Sequence, residues 1–296
     1  MAERDIVALR PGQWLGRKAE HERRVDALVA EHLGRRRDGV AHPVADFLFT
    51  YYSHRPAQLR RWHPGAGTVL LDADPPGPEY IAVPGGAALD HGRLLEPRRP
   101  AVAAIRDLLA ATASRPAQWG CFGLHEWAMV YRQDPGAVRH HDWPLRTDPA
   151  PVVEQQPLRC THFDAFRFFT EPARPRNVLQ LTRSDQLNRE QSGCLHANMD
   201  LYKWAYKLSP LVPSELVVEC FELARDIRTV DMRASPYDLS DLGLEPVRVE
   251  TAPGRAEYAG LAREFAERAQ PLRARLVAEC DRVLRLPMYA STKEVW

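Results

Sequence analysis

Lysine and net charge are what this sequence lacks most. Lys and Arg together make up 40 residues, balanced by 39 Asp and Glu, and the formal charge is +1. Only four of the 40 are lysine, at positions 18, 203, 207 and 293. A chain without excess positive charge has no overall field that attracts nucleic acid. The arginine and proline bias is typical of a GC-rich genome and by itself indicates no special role.

Long apolar runs and secretion signals are also missing. No stretch approaches the roughly 18 apolar residues that a membrane span requires, and the first residues, MAERDIVALRPGQW, contain no apolar signal core. The five cysteines are an odd number, which favours reduced thiols. We therefore expect a cytoplasmic protein with no membrane partner.

The hydrophobic pattern predicts a mainly α fold with a small β element, an α+β chain that forms a single domain over residues 1–296. Helices are expected over 14–36, around 43–62, over 101–113, 196–208 and 214–225, and at the C-terminal end over 256–284. Ser214 is expected to be the N-cap of its helix. The Gly- and Pro-rich segment 64–100 contains two strand-like runs and predicts a hairpin insertion or a lid. Further strands are expected at 152–153 and 160–169, and a loop over 133–157.

Three cysteine–histidine pairs stand in apolar, aromatic-rich stretches. They are Cys121 with His125, Cys160 with His162, and Cys194 with His196. Catalytic zinc and non-haem iron sites commonly use three protein ligands and leave a position open. One hypothesis is therefore that His125, His162 and His196 bind one divalent metal ion, Zn or Fe. The alternative is that each histidine is a separately satisfied polar group of the core.

Carboxylates close to these histidines are the candidate catalytic groups. Glu126 follows His125 directly and can act as a general base on activated water. Asp164 is expected on the same strand face as His162, and Asp200 lies one helical turn after His196. Asp231 belongs to the stretch ELARDIRTVDMR, which predicts either an ion network that fixes a loop or the wall of a site.

Aromatic and arginine side chains mark candidate substrate contacts. The stretch FLFTYYSHRPAQLRRWHPG contains Tyr52, Arg55, Arg61 and Trp62, a combination that suits an anionic or planar ligand. Alternatively, the stretch is the exposed basic flank of a helix whose tyrosines pack in the core. Tyr202 and Arg233 are further candidates, the first on a helix beside Lys203 and the second as an anion clamp. The sequence contains no HExxH, G-x-S-x-G or strand-linked GxGxxG motif.

Five stretches together carry a resemblance over nearly the whole chain: FLFTYYSHRPAQLRRWHPG, CFGLHEWAMVYR, RCTHFDAFRFFT, GCLHANMDLYKWAYKLSPLVPSELV and DMRASPYDL. The chain resembles an actinobacterial family of similar length that is labelled 3-methyladenine DNA glycosylase. The resemblance implies hydrolysis of the N-glycosidic bond of alkylated bases in DNA. A glycosylase needs an aromatic pocket for the flipped base and a carboxylate. Residues 162–168 would form the pocket, Asp164 would be the carboxylate, and residues 55–62 would contact phosphates.

Three functional hypotheses follow. The first is an enzyme with a histidine and carboxylate site, plausibly metal-dependent, that acts on a small polar or aromatic substrate. The second is the glycosylase, which has no metal and whose partner is alkylated DNA. The low net charge argues against it, because DNA binding depends largely on phosphate neutralisation. The third is a non-catalytic helical binding protein with structural histidines.

Overall fold

The computed structural model describes residues 6–134, 136 and 143–286. The fold is mainly helical with one small sheet, so the predicted fold class is confirmed. The helices are α1 Pro11–Arg37, α2 Phe47–Tyr51, α3 Pro56–Arg60, α4 His91–Leu95, α5 Arg99–Ser114, α6 Leu124–Ala128, α7 Pro149–Glu154, α8 Phe163–Phe166, α9 Gln186–Arg189, α10 Leu195–Leu208, α11 Ser214–Arg233 and α12 Ala252–Arg285. The strands are β1 Val7–Leu9, β2 Thr68–Leu71, β3 Tyr80–Val83 and β4 Gly86–Leu89.

The long helices form the centre of the molecule. α10 packs against α11 and α12, and α12 also packs along α5. Apolar side chains recur at helical spacing on their facing sides, as Val217, Phe221, Ala224 and Ile227 do on α11. No helix among the described residues is long and apolar enough to cross a bilayer.

The sheet lies on one side of this bundle, with strand order β1-β2-β4-β3. β1 pairs parallel to β2, and the other neighbours are antiparallel. The two strands expected in 64–100 are present, and β4 completes the hairpin with β3. Gly86 is required there, because a Cβ atom would lie 1.9 Å from the carbonyl oxygen of Leu70.

Several local predictions are wrong. The single helix around 43–62 is two short helices, since Arg55 precedes a proline and adopts an extended conformation. The strands at 152–153 and 160–169 are helices α7 and α8, and α7 also interrupts the predicted loop 133–157, part of which lies outside the described residues. The N-cap of α11 is Pro213, and the Ser214 hydroxyl instead contacts the backbone of Arg61 and His63.

Helix α11 continues eight residues beyond the predicted end at 225, to Arg233. Its last two turns carry alternating charges, which on an exposed surface would suggest a loop or a frayed end. Arg228 and Asp231 are nevertheless buried, because each compensates the charge of the other one turn apart. This extension brings Asp231 into the middle of the molecule.

Candidate metal and active site

The three predicted histidines converge in the protein interior. The rings of His125 and His196 have centroids 4.4 Å apart, and those of His162 and His196 are 5.4 Å apart and stacked. They come from three separate elements: α6, the residue before α8, and the first turn of α10. The arrangement is therefore one contiguous polar cluster in an otherwise apolar core.

Two groups of metal-ligating type make up this cluster. Group A consists of His125, His196 and Asp231, and group B of His162, Glu190 and Asp200; in each, one ligand atom per residue lies within 4.8 Å of the others. The three histidines predicted as ligands of one ion thus divide between two groups. Glu190 and Asp200 complete group B, and no sequence motif singles out Glu190.

Group A is ordered by hydrogen bonds around Asp231. His125 Nε2 lies 2.9 Å from Asp231 Oδ1, and Arg228 Nη1 donates to Asp231 Oδ2 at 2.9 Å. The other ring nitrogen of His125 lies 3.4 Å from Cys121 Sγ. Burial lowers the pKa of His125, but the Asp231 carboxylate outweighs it and raises that pKa well above its usual value. Conversely, although burial opposes it, His125 holds the pKa of Asp231 far below its usual range.

His196 is the exception within group A. Among the described residues its ring nitrogens have no hydrogen-bond partner, and its ring contacts are the two neighbouring histidines. Burial, and then the proximity of His125, lower the pKa of His196 to about 3. Its imidazole is therefore neutral near pH 7, the form in which histidine binds a metal.

A cavity of about 190 Å³ adjoins His196. Glu126, Asp164 and Arg228 contribute charged groups to its wall. The remaining lining residues are mostly aromatic or apolar: Phe47, Tyr51, Met129, Gln133, Ala165, Phe168 and Tyr237. The cavity is smaller than the 300–1,000 Å³ typical of drug-sized ligand sites, so it suits a small molecule.

Glu126 connects the cavity to group A. Arg228 Nη1 donates to Glu126 Oε1 at 3.1 Å as well as to Asp231. Burial, and then the charge of Asp231, raise the pKa of Glu126 despite Arg228. A buried carboxylate with a raised pKa at a cavity wall has the properties of a general acid or base.

On the other side of the histidines lies a space of only about 10 Å³, no larger than one water molecule. It is bordered by His125, His196 and the three paired cysteines, Cys121, Cys160 and Cys194. Cys160 and Cys194 are buried, and burial raises the pKa of both thiols. Cys160 and Cys194 therefore border the back of the site as neutral thiols.

Short-range backbone geometry positions His125. Gly123 is the N-cap of α6 and has φ 75°, and a Cβ atom at that position would lie 3.0 Å from the Tyr258 ring and 3.1 Å from Ala234. A glycine is needed both for the left-handed conformation and for this close approach. The histidine two residues later is thereby held against α11.

Asp164 is located differently from the prediction. Because 163–166 is helical, His162 and Asp164 do not share a strand face, and Asp164 forms an ion pair with Lys203 Nζ at 3.1 Å. Lys203 also pairs with Asp200, so it links the cavity wall to group B. Arg167 and Arg183 approach Asp164 from the solvent side.

The predicted substrate contacts are scattered. Tyr52 donates to Asp200 Oδ1 at 2.8 Å, and Tyr202 is fully buried among aromatic rings. Arg61 and Trp62 line a separate cavity of about 430 Å³ beside the sheet. Arg55 is exposed, and Arg233 donates to the backbone of Glu245.

Comparison with known proteins adds no relative: neither family models, nor curated proteins, nor solved structures match the chain.

Proposed function

We propose that this protein is a metal-dependent enzyme that acts on a small polar or aromatic substrate, with one divalent ion, Zn or Fe, held by group A. Two histidines and one carboxylate are the donor set of several catalytic zinc and non-haem iron sites. The observation that carries the proposal is His196, a neutral imidazole without a hydrogen bond among the described residues, located between His125, Asp231 and the cavity.

The surroundings of group A suit a ligand role. Cys121 at His125 Nδ1 and Arg228 at Asp231 Oδ2 fix the orientation of both side chains, as outer-shell partners of metal ligands do. The ion would replace the proton that His125 Nε2 shares with Asp231 Oδ1. When bound, such an ion would polarise a substrate oxygen or lower the pKa of a coordinated water. The open positions would face the cavity, because His196 lines it.

Glu126 is the proposed proton carrier. Its raised pKa allows it to hold a proton nearer neutral pH than an exposed glutamate does. Arg228 keeps the carboxylate oriented, and its guanidinium lies 3.8 Å from the centroid of the Phe47 ring. The stacked rings of Phe47 and Tyr51, 5.0 Å apart, offer a flat wall for a planar substrate group.

Elemental analysis of the purified protein tests this proposal. We expect Zn or Fe in the wild type and one equivalent less in His196→Ala. The control His21→Gln should keep the wild-type content, because His21 bonds the Leu59 carbonyl elsewhere in the molecule. A metal content that is unchanged in His196→Ala would contradict the proposal.

One observation favours N-glycosidic hydrolysis as a second candidate. The carboxylates of Glu126 and Asp164 line the same cavity as Phe47, Tyr51 and Phe168, the combination that base excision requires. For this candidate we expect release of methylated adenine from alkylated duplex DNA, insensitive to chelators and lost in Asp164→Asn. Persistence of that release in Asp164→Asn would exclude Asp164 as the catalytic carboxylate.

A further inference from the structure

Group B is more deeply buried than group A and does not line the 190 Å³ cavity. His162, Glu190 and Asp200 are 1%, 2% and 2% exposed. His162 Nε2 lies 3.2 Å from Glu190 Oε1 and 3.3 Å from Asp200 Oδ2. A nitrogen and two carboxylate oxygens therefore converge on one point in the protein interior.

The His162 ring is unsatisfied there. Neither of its buried nitrogens has a hydrogen-bond partner of acceptable geometry within the described part of the chain. A buried polar group without a partner costs about 1–3 kcal/mol and is rare in native proteins. The position therefore requires an occupant or a compensating charge.

The spacing in group B matches that of ligands around one ion. Ligands at about 2.1 Å from a metal, with angles between octahedral and tetrahedral, are about 3.0 to 3.4 Å from each other. The two nitrogen–oxygen distances, 3.2 and 3.3 Å, agree with that spacing. These two distances therefore fit coordination of one ion by all three residues, whose ligand atoms lie within 4.8 Å of one another.

Neighbouring side chains hold both carboxylates in place. Gln186 Nε2 donates to Glu190 Oε1 at 2.7 Å, and the Tyr52 hydroxyl donates to Asp200 Oδ1. Such outer-shell hydrogen bonds orient the ligands of metal sites. Asp200 Oδ2, the oxygen 3.3 Å from His162 Nε2, also accepts from Lys203 Nζ, so a cation bound by group B would share this oxygen with the ammonium.

Charge balance points the same way. Lys203, largely buried, is the ammonium that pairs with both Asp200 and Asp164, while Glu190 accepts its side-chain hydrogen bond from a neutral amide. The guanidiniums near Asp164, those of Arg167 and Arg183, face solvent. The fully buried guanidinium of Arg273, whose charge acts on Glu190, is a second buried cation. Three carboxylates therefore face two cations, so negative charge exceeds positive charge by one when His162 is neutral, and burying unpaired charge is costly.

We propose that group B binds a second divalent cation, a first-row metal such as Zn²⁺, Mn²⁺ or Fe²⁺, separate from the ion proposed for group A. One imidazole and two carboxylates are ligands that such ions accept. This ion is enclosed and serves to fix structure. It fixes Asp200, which lies one turn after His196 on α10, and it fixes His162 against the His196 ring. In this way it positions His196, the group A ligand that lines the cavity.

Counting bound ions tests the second site. Chelator-treated protein is titrated with Zn²⁺ and measured by elemental mass spectrometry after desalting, and with Co²⁺ by its visible absorption. We expect two equivalents in the wild type, one in Glu190→Gln, one in His196→Ala and none in the double variant. The control Glu264→Gln, at an exposed position of α12, should keep both.

The outcomes separate the two proposals. One equivalent that is lost in His196→Ala but kept in Glu190→Gln would overturn the second site and support the metal of group A. One equivalent lost only in Glu190→Gln would support the second site and overturn group A. Should Glu190→Gln fail to fold, the wild-type Co²⁺ titration decides, since an end point at one equivalent or none contradicts two sites. A protonated His162 between the carboxylates would give that result.

Discussion

His162 and His196 stack with centroids 5.4 Å apart, although they belong to different candidate ligand groups. His196 is also 4.4 Å from His125, so it joins the two groups and the cavity. His196 therefore connects the two groups by direct ring contact. Substitutions in the network that holds this side chain in place should affect both groups.

Arg228 is the main charge partner of group A. Replacing Arg228 by Met leaves Glu126 and Asp231 without their shared guanidinium, and we expect the free energy of unfolding to fall by about 3–5 kcal/mol. Urea denaturation measures this loss. Arg268→Gln, which removes the exposed pair with Asp226 and the contact of the guanidinium with the Phe265 ring, should cost less than about 1 kcal/mol. Equal effects of the two substitutions would disprove a special role for Arg228.

Gly123 and Gly260 form a matched pair of alanine substitutions. Gly123→Ala places a methyl group against Tyr258 and Ala234 at positive φ, and we expect a loss of roughly 2–4 kcal/mol in unfolding free energy. Gly260 lies inside α12, and a Cβ atom there would meet no other atom within 4 Å, so Gly260→Ala should stabilise by up to about 1 kcal/mol. Thermal and urea unfolding of both variants check the sign of each effect.

Acid should destabilise the fold through His54 and His63. Burial lowers the pKa of each to about 4, so both stay neutral in the folded state while the unfolded chain takes up protons near pH 6.5. Their stabilising contribution is complete above about pH 6.5 and declines as the pH falls toward 4. Each contributes on the order of 3 kcal/mol at most.

The variant His54→Gln tests this pH dependence. We expect its unfolding free energy to decline less between pH 7.5 and 4.5 than that of the wild type, because one buried histidine no longer takes part. If the unfolding free energies of the variant and the wild type fall by the same amount between these two pH values, His54 does not contribute.

Thiol reactivity should separate Cys121 from the other four cysteines. Cys121 is partly exposed, whereas Cys160, Cys194, Cys220 and Cys280 are buried, and burial raises the pKa of those four thiols. A chromogenic disulfide reagent should modify one thiol rapidly in the native protein and five after denaturation. The fast phase should be absent in Cys121→Ser; its persistence would mean that another cysteine is accessible.

The sequence contains enough information to predict the long helices, strands β2 and β3 and the candidate histidines, because periodicity and residue type are local signals. The sequence does not indicate how the candidate ligands divide between groups A and B. A strand would place His162 and Asp164 on one face, but tertiary packing makes 163–166 helical and turns Asp164 toward Lys203. Glu190 lies in a polar stretch without periodicity, so no local pattern indicates its burial beside His162.

Anomalous diffraction from crystals grown with Zn²⁺ shows whether group A binds a metal ion. Data collected above and below the zinc absorption edge should show a peak at about 2 Å from a nitrogen of His125, a nitrogen of His196 and an oxygen of Asp231. If no peak appears at that position and His125 Nε2 is still bonded to Asp231, group A does not bind the ion.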